Sequence, residues 1–268
     1  MRKLLALSVI AMLLLVSCSP YNQVLKGNDY NLKLSKANEY YDAGKWLRAG
    51  ELYNQVLPVF KATKDYEMIY YRYAYTQYNT RNYLSASYHF KNFTEFFPGS
   101  SKAEECMYMY GVSLFKDSPR YNLDATSTSR AREVLVHYVN TYPTSPTVPD
   151  AMKYIEECTE KLETKGYHAA LLYYNMEQYK AATVAFKELI ATYIESKKTD
   201  YYMYLQFRSA FLYAQQSVLN KQQERYVDAI AIYKEFKSFY PNSSYTKEAD
   251  KLFDSAEKSI KQLRNEHK

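Results

Sequence analysis

Glycine is scarce in this chain, with six residues in 268. So few positions free to take left-handed backbone argue against a fold built on tight β-turns and against loops that cradle phosphate. Histidine is nearly as rare, at His89, His137, His168 and His267. None stands in H-E-x-x-H and none pairs with cysteine at zinc-ligand spacing, so no metal site is expected. No G-x-S-x-G elbow is present, and no carboxylates cluster for acid–base work. Glu104-Glu105 and Glu156-Glu157 are sequential, so on a helix their side chains point about 100° apart. These absences nominate no catalytic residue and no cofactor, and the chain reads as something other than an enzyme.

Charge of one sign is not concentrated either. Lys and Arg number 35 against 29 Asp and Glu, and Lys197-Lys198 is as dense as the basic residues become. A nucleic-acid binder shows a basic stripe, so a solvated surface is the better reading and no nucleic-acid partner is expected. Three cysteines make no disulfide framework. Cys106 and Cys158 are expected as buried thiols, although an oxidising compartment would let them pair. A long apolar run is missing except at the start, where Leu4 to Val16 follows Met1-Arg2-Lys3. It falls short of the roughly 20 apolar residues that cross a bilayer, and its charged start and small final residues make it a secretory signal. It closes on Leu15-Val16-Ser17-Cys18, which resembles a bacterial lipoprotein box in which Cys18 is lipidated and becomes the mature N-terminus. Residues 1–17 are therefore read as signal peptide. Residues 18–30, polar and holding Pro20 and Gly27, are read as a lipidated tether.

Tyrosine is what the chain has instead: 32 residues against 12 Phe and one Trp. A tyrosine packs like a large hydrophobe while its hydroxyl wants a partner or water, which suits half-exposed helix faces. Alignment on Ala49, Ala86, Ala131, Ala182 and Ala229 brings out a repeat. Three residues earlier stand Trp46, Tyr83, Thr128, Tyr179 and Tyr226; four later stand Tyr53, Phe90, Leu135, Phe186 and Tyr233. Val56, Phe93, Tyr138, Leu189 and Phe236 follow at +7, and Phe60, Phe97, Tyr142, Tyr193 and Tyr240 at +11. These offsets fall on one helix face. Pro98, Pro143 and Pro241 at +12 end that helix, because the ring cannot continue the hydrogen-bond ladder. The pattern resembles the second helix of a tetratricopeptide repeat.

A first helix should precede each, carrying a small residue: Ala37, Ala74, Gly111, Ala170 and Ala210, with about eight residues inserted in the third repeat and seven in the fifth. Lys61 and Ile194 replace the proline in the first and fourth repeats, so those helices are expected to end less sharply. One long helix is expected over 150–175, and a final amphipathic helix over 245–263 to cap the last apolar face. The fold expected is all-α: a tetratricopeptide superhelix of about five helix-turn-helix repeats and a C-terminal capping helix. Repeats one to three fall in 31–144; repeats four and five with the cap fall in 145–268.

With no chemistry to assign, surface recognition remains. First helices line the concave face of such arrays, which here would display Asn38, Tyr41, Tyr71, Tyr75, Tyr78, Tyr108 and Phe115. Tyr71, Tyr75 and Tyr78 form one stripe at i, i+4, i+7. They are either packing residues or the lining of a groove for an extended peptide, since aromatic side chains dominate binding hot spots.

Several stretches resemble the BamD family of outer-membrane β-barrel assembly lipoproteins. They are Ser118-Pro119-Arg120 with Asp124, Tyr142-Pro143-Thr144-Ser145 with Ala151, Ala169, Tyr173-Tyr174 and Ala181-Ala182. The tyrosine richness and inserted segments look like those of a Bacteroidetes relative. The resemblance implies a non-enzymatic scaffold, lipid-anchored on the periplasmic face of the outer membrane. Its partners would be a BamA-type β-barrel protein, other lipoproteins of the complex, and the C-terminal strands of unfolded barrel precursors. Repeats one to three would take the precursor, and the last two repeats with the terminal helix would face the BamA-type subunit. One departure bears on that second contact: family members often carry arginine where this chain has Ala185, so the salt bridge made there by relatives cannot form. Ser19-Pro20-Tyr21-Asn22 after the cysteine lacks the acidic cluster of surface-export signals and the aspartate of inner-membrane retention. A lipoprotein scaffold for cell-envelope remodelling is the competing reading.

Overall fold

The computed structural model describes residues 20–266, and these residues are helical with no strand. Cys18 lies outside them. A short helix, α1 (Pro20–Lys26), precedes three helix pairs: α2 (Tyr30–Asp42) with α3 (Trp46–Phe60), α4 (Tyr66–Asn79) with α5 (Tyr83–Phe96), and α6 (Ala103–Asp117) with α7 (Thr126–Thr141). The long helix is α8 (Val148–Asn175). It is followed by α9 (Tyr179–Thr192), the pair α10 (Thr199–Gln215) and α11 (Leu219–Phe239), and the cap α12 (Thr246–Glu266). The chain forms two compact units, one ending at Thr159 and the other beginning at Glu160, and α8 gives residues to both.

Each second helix is set by the register seen in the sequence. The five marker alanines are fully buried, and so are Tyr53, Phe90, Leu135 and Phe186 one turn on, and Val56, Phe93, Tyr138 and Phe236 after that. The small residue of each first helix meets them: Ala37, Ala74 and Ala170 have no exposure. Gly111 plays that part in α6, where a Cβ would lie 2.6 Å from Leu135 of α7. The two insertions take different forms. In the third repeat residues 118–125 form the loop between α6 and α7, whereas in the fifth the added residues extend α11 forward to Leu219.

Two details depart from expectation. Residues 20–26, read as part of a tether, fold as α1 and pack Tyr21, Val24 and Leu25 on the first pair. Ile194 does not loosen the end of α9. Tyr193 closes it at φ −122°, ψ 57°, beside −129°, 56° for Phe97 and −130°, 58° for Tyr240, which precede prolines. The first repeat does differ, with Lys61 remaining in helical conformation. The turns within the pairs share a second geometry: Gly44, Arg81 and Glu177, each five residues before a marker alanine, take positive φ of 69°, 63° and 58°.

Past the second helix of repeats two, four and five a serine clamps the chain to the preceding first helix. Ser100, Ser196 and Ser243 donate to Glu67, Glu163 and Asp200 at 2.6, 2.7 and 2.8 Å. Each hydroxyl also accepts from the backbone N–H two residues on, that of Lys102, Lys198 or Tyr245. Orphan donors at the start of the next helix are thereby satisfied.

Candidate functional site

The sequence YEMIYYRYAYTQYN of α4 carries six tyrosines, and helical periodicity sorts them onto two faces. Tyr70 and Tyr73 turn toward α5, where their rings meet His89 edge-on at 5.6 and 4.7 Å. The Tyr70 hydroxyl lies 3.1 Å from His89 Nδ1, and burial lowers the imidazole pKa to about 4. Tyr71 and Tyr75 turn the other way, toward α6.

Both hydroxyls of that second pair donate to one carboxylate, Glu105. Tyr71 reaches its two oxygens at 2.9 and 3.0 Å, and Tyr75 bonds to Oε1. The rings meet edge-on at 4.9 Å; beneath them Tyr75 packs on Phe90 at 5.0 Å and Tyr71 on Phe93 at 6.0 Å. Burial first, and Glu105 second, raise both phenol pKa values, so the hydroxyls stay proton donors at any physiological pH. Lys102 places its ammonium 4.5 Å over the Tyr71 ring. The tyrosines are half-buried and Glu105 is exposed, so the pair is packed from below and open above.

The first repeat joins this arrangement through Arg72. Its Nη1 donates to Asn38 Oδ1 and lies equally close, at 3.2 Å, to Asp42. Its guanidinium stacks 4.9 Å over Tyr41. Asn38 Oδ1 also accepts from the Tyr53 hydroxyl at 2.7 Å, and Tyr41 meets Trp46 edge-on at 5.1 Å. On the other side, Tyr78 touches Tyr83 at 5.5 Å, Tyr108 touches Tyr138 at 5.5 Å, and Phe115 meets Tyr154 of α8 at 4.6 Å. Burial, with Tyr154 nearby, pushes Tyr108 up to about 12 and raises Tyr78. Lys116 stands 5.7 and 5.9 Å from the Phe115 and Tyr154 rings.

All seven nominated groove residues lie in the first unit and are half-buried. They gather in three neighbourhoods, around Arg72, around Glu105 and around Tyr154, rather than as one bare stripe. Arg72, Glu105, Lys102 and Tyr154 went unnominated. In the sequence Glu105 stands only as half of an acid pair. It converges instead on hydroxyls of the neighbouring repeat, and no spacing within its own helix signals that. Chemically the face offers aromatic rings, cations poised over them, and a solvent-facing carboxylate that accepts N–H groups. Among the described residues no three His, Cys, Asp or Glu side chains are grouped to hold a metal ion.

The second unit carries an open cavity of about 810 Å³ between the ends of α8 and α10 and the starts of α9 and α11. Tyr173, Tyr179, Ala185, Tyr213 and Arg225 line it. Arg225 stacks 4.2 Å from the Tyr213 ring and donates to Ser217. The forward extension of α11 supplies the exposed Val218–Leu219 edge nearby. Cys106 and Cys158 lie buried in separate clusters of the first unit.

Among solved structures, the chain is similar to the TPR2AB domain of yeast Sti1 in its complex with pHSP90, at 13% identity, covering 85% of this chain and 98% of that one, with a TM-score of 0.37. It is also similar to a putative kinesin light chain of Podospora anserina with nearly identical TPR-like repeats, at 12% identity, covering 78% and 96%, with a TM-score of 0.34. At such scores neither likeness carries weight. No curated protein matches significantly. The family model described as YfiO, outer membrane lipoprotein, matches residues 29–193 and 167–263, and together these spans take in every helix from α2 to α11 and most of α12. The chain belongs to the YfiO family of outer-membrane lipoproteins.

Proposed function

We propose that this protein is a non-enzymatic scaffold of outer-membrane β-barrel assembly, anchored by lipid at Cys18 on the periplasmic face. The first unit receives the C-terminal strands of unfolded barrel precursors. The observation that carries this reading is the Tyr71–Tyr75–Glu105 group. An extended strand presents backbone N–H groups and alternate side chains; Glu105 accepts the former and the flanking rings take aromatic members of the latter. Lys102, over the Tyr71 ring, supplies a cation for a terminal carboxylate. A BamA-type subunit and other lipoproteins of the complex contact the second unit. Ala185 removes the arginine that relatives often use there, but Arg225 and Lys180 line the same cavity.

The test is titration of labelled barrel C-terminal peptides. Tyr71→Ala with Tyr75→Ala is expected to weaken binding about tenfold or more, the range of a truncated aromatic hot spot. Unchanged affinity in a folded variant returns both tyrosines to packing alone. Co-purification of a BamA-type protein from envelopes tests the second partner. Its absence in mild detergent leaves envelope remodelling as the better reading.

A further inference from the structure

The segment read as a tether is folded onto the protein. α1 lays Tyr21, Val24 and Leu25 against the cluster of Ala37, Ala49, Leu52, Tyr53 and Val56. The Tyr21 hydroxyl donates to Glu51, and its ring meets Tyr40 edge-on at 5.5 Å. The Arg48 guanidinium lies 5.1 Å from the Tyr21 ring and 5.8 Å from that of Tyr40. Gly27 N–H closes α1 on Gln23, and Asp29 caps α2 through Leu32 N–H at 2.9 Å. The chain is thus ordered from Pro20 onward, and only Ser19 separates Pro20 from Cys18. Two residue steps reach at most about 7 Å, whereas a flexible ten-residue tether averages about 18 Å. Whatever holds Cys18 holds the first helix pair close to it.

Tyr21 touches the end of α2 and the beginning of α3, so the α2–α3 turn lies beside the start of α1. Gly44 makes that turn possible at φ 69°, and Lys45-Trp46-Leu47-Arg48 follows. Lys45 and Arg48 are exposed, Trp46 is half-buried, and Leu47 is 67% exposed although apolar. Carboxylates nearby are already engaged: Asp42 with Arg72, Glu39 with Lys36, and Glu51 with Tyr21. An exposed leucine beside a tryptophan and two exposed cations that make no ion pair among the described residues, Lys45 and Arg48, both resting near the Tyr40 ring, has the chemistry of a bilayer interface. The indole sits at headgroup depth, and cations are drawn to lipid phosphates.

We infer that the Lys45–Arg48 turn is a second membrane contact, seated by the docked α1 on the headgroups of a leaflet containing anionic lipid. It rests on the reading of Cys18 as the lipid anchor. The turn adds to the anchor and fixes which face of the first unit meets the bilayer.

The chain has one tryptophan, so its emission reports Trp46 alone. The full-length lipidated protein is bound to phosphatidylglycerol-containing vesicles whose lipids are brominated near the top of the acyl chain. Quenching of about half the emission is expected for an indole at headgroup depth. Lys45→Glu with Leu47→Glu alters two exposed side chains, so circular dichroism should be unchanged while quenching falls about twofold or more. Tyr21→Ala with Leu25→Ser, which frees α1, should lower quenching in the same way. Unquenched Trp46 in vesicle-bound wild type overturns the inference. A Cys18→Ala protein that floats with vesicles as well as wild type overturns the anchor reading instead, whatever Trp46 reports.

Discussion

Glu163 in the second unit and Glu105 in the first each accept from tyrosine, one inside the core and one at the surface. In the second unit Tyr202, 1% exposed, donates to Glu163 at 2.7 Å. Glu163 is itself buried and also takes the Ser196 hydroxyl. In the first unit Tyr71 and Tyr75 donate to Glu105, which faces solvent. The cores differ in the same sense. The second unit has one contiguous cluster running from Ala170 to Leu263, whereas the first is broken into four smaller ones. A hydroxyl that finds its acceptor inside a continuous core locks helices together. One that finds it at the surface, over a segmented core, leaves ring and carboxylate available to a partner.

The strongest test of that contrast is cooperativity. Phe207 and Phe90 are both fully buried, so Phe207→Ala and Phe90→Ala should each cost about 3–5 kcal/mol. Amide exchange should then separate them. Phe207→Ala is expected to lower protection through α10, α11 and α12 together, because its cluster includes Ala249, Ala256 and Ile260 of the cap. Phe90→Ala should act mainly on α4, α5 and α6, whose residues make up its own cluster, as in nearest-neighbour repeat energetics. Independent exchange of α12 in Phe207→Ala would break the comparison.

A smaller effect should divide the two carboxylates. Glu163→Ala strands the buried Tyr202 hydroxyl and is expected to cost about 1–3 kcal/mol in urea unfolding. Glu163→Gln keeps an acceptor and should recover most of that loss. Glu105→Ala removes an exposed group whose tyrosines can turn to water, so its stability cost should stay within about 0.5 kcal/mol. Equal costs at the two sites would mean that Glu105 is structural too, and the candidate face would lose its distinction.

What the sequence disclosed follows from what a period can carry. The apolar register located four of the five second helices to within a residue or two at both ends, and the fifth at its C-terminal end, since burial acts on one face of each. α8 and the cap were legible for the same reason. The turns were not: glycine marks left-handed backbone in one of three equivalent places, and Arg81 and Glu177 take it in the others. α1 was missed because seven residues with three apolar contacts show no period, and docking on the first pair supplies the stability. The candidate face was half legible. Its rings lie on first helices at readable spacing, but Arg72, Glu105 and Tyr154 act across repeats, where only three-dimensional neighbours reveal a partner.

The smallest effect concerns the end of α9, and it acts through the unfolded chain. Tyr193 already holds the backbone of a residue that precedes proline, matching Phe97, Tyr142 and Tyr240 within a few degrees. Ser196 N–H closes on Tyr193 as Ser100 closes on Phe97, so the turn beyond is also shared. Ile194 is 75% exposed and contributes little packing. Ile194→Pro therefore asks for no change in the folded state while restricting the unfolded one. A gain of about 0.4–1 kcal/mol in urea unfolding is expected. The same exchange at Lys61 should destabilise instead, because Lys61 stays helical and Phe60 before it would be pushed out of the α region. If both substitutions moved stability the same way, the matched dihedrals at Tyr193 would not be what the prolines of the other repeats enforce.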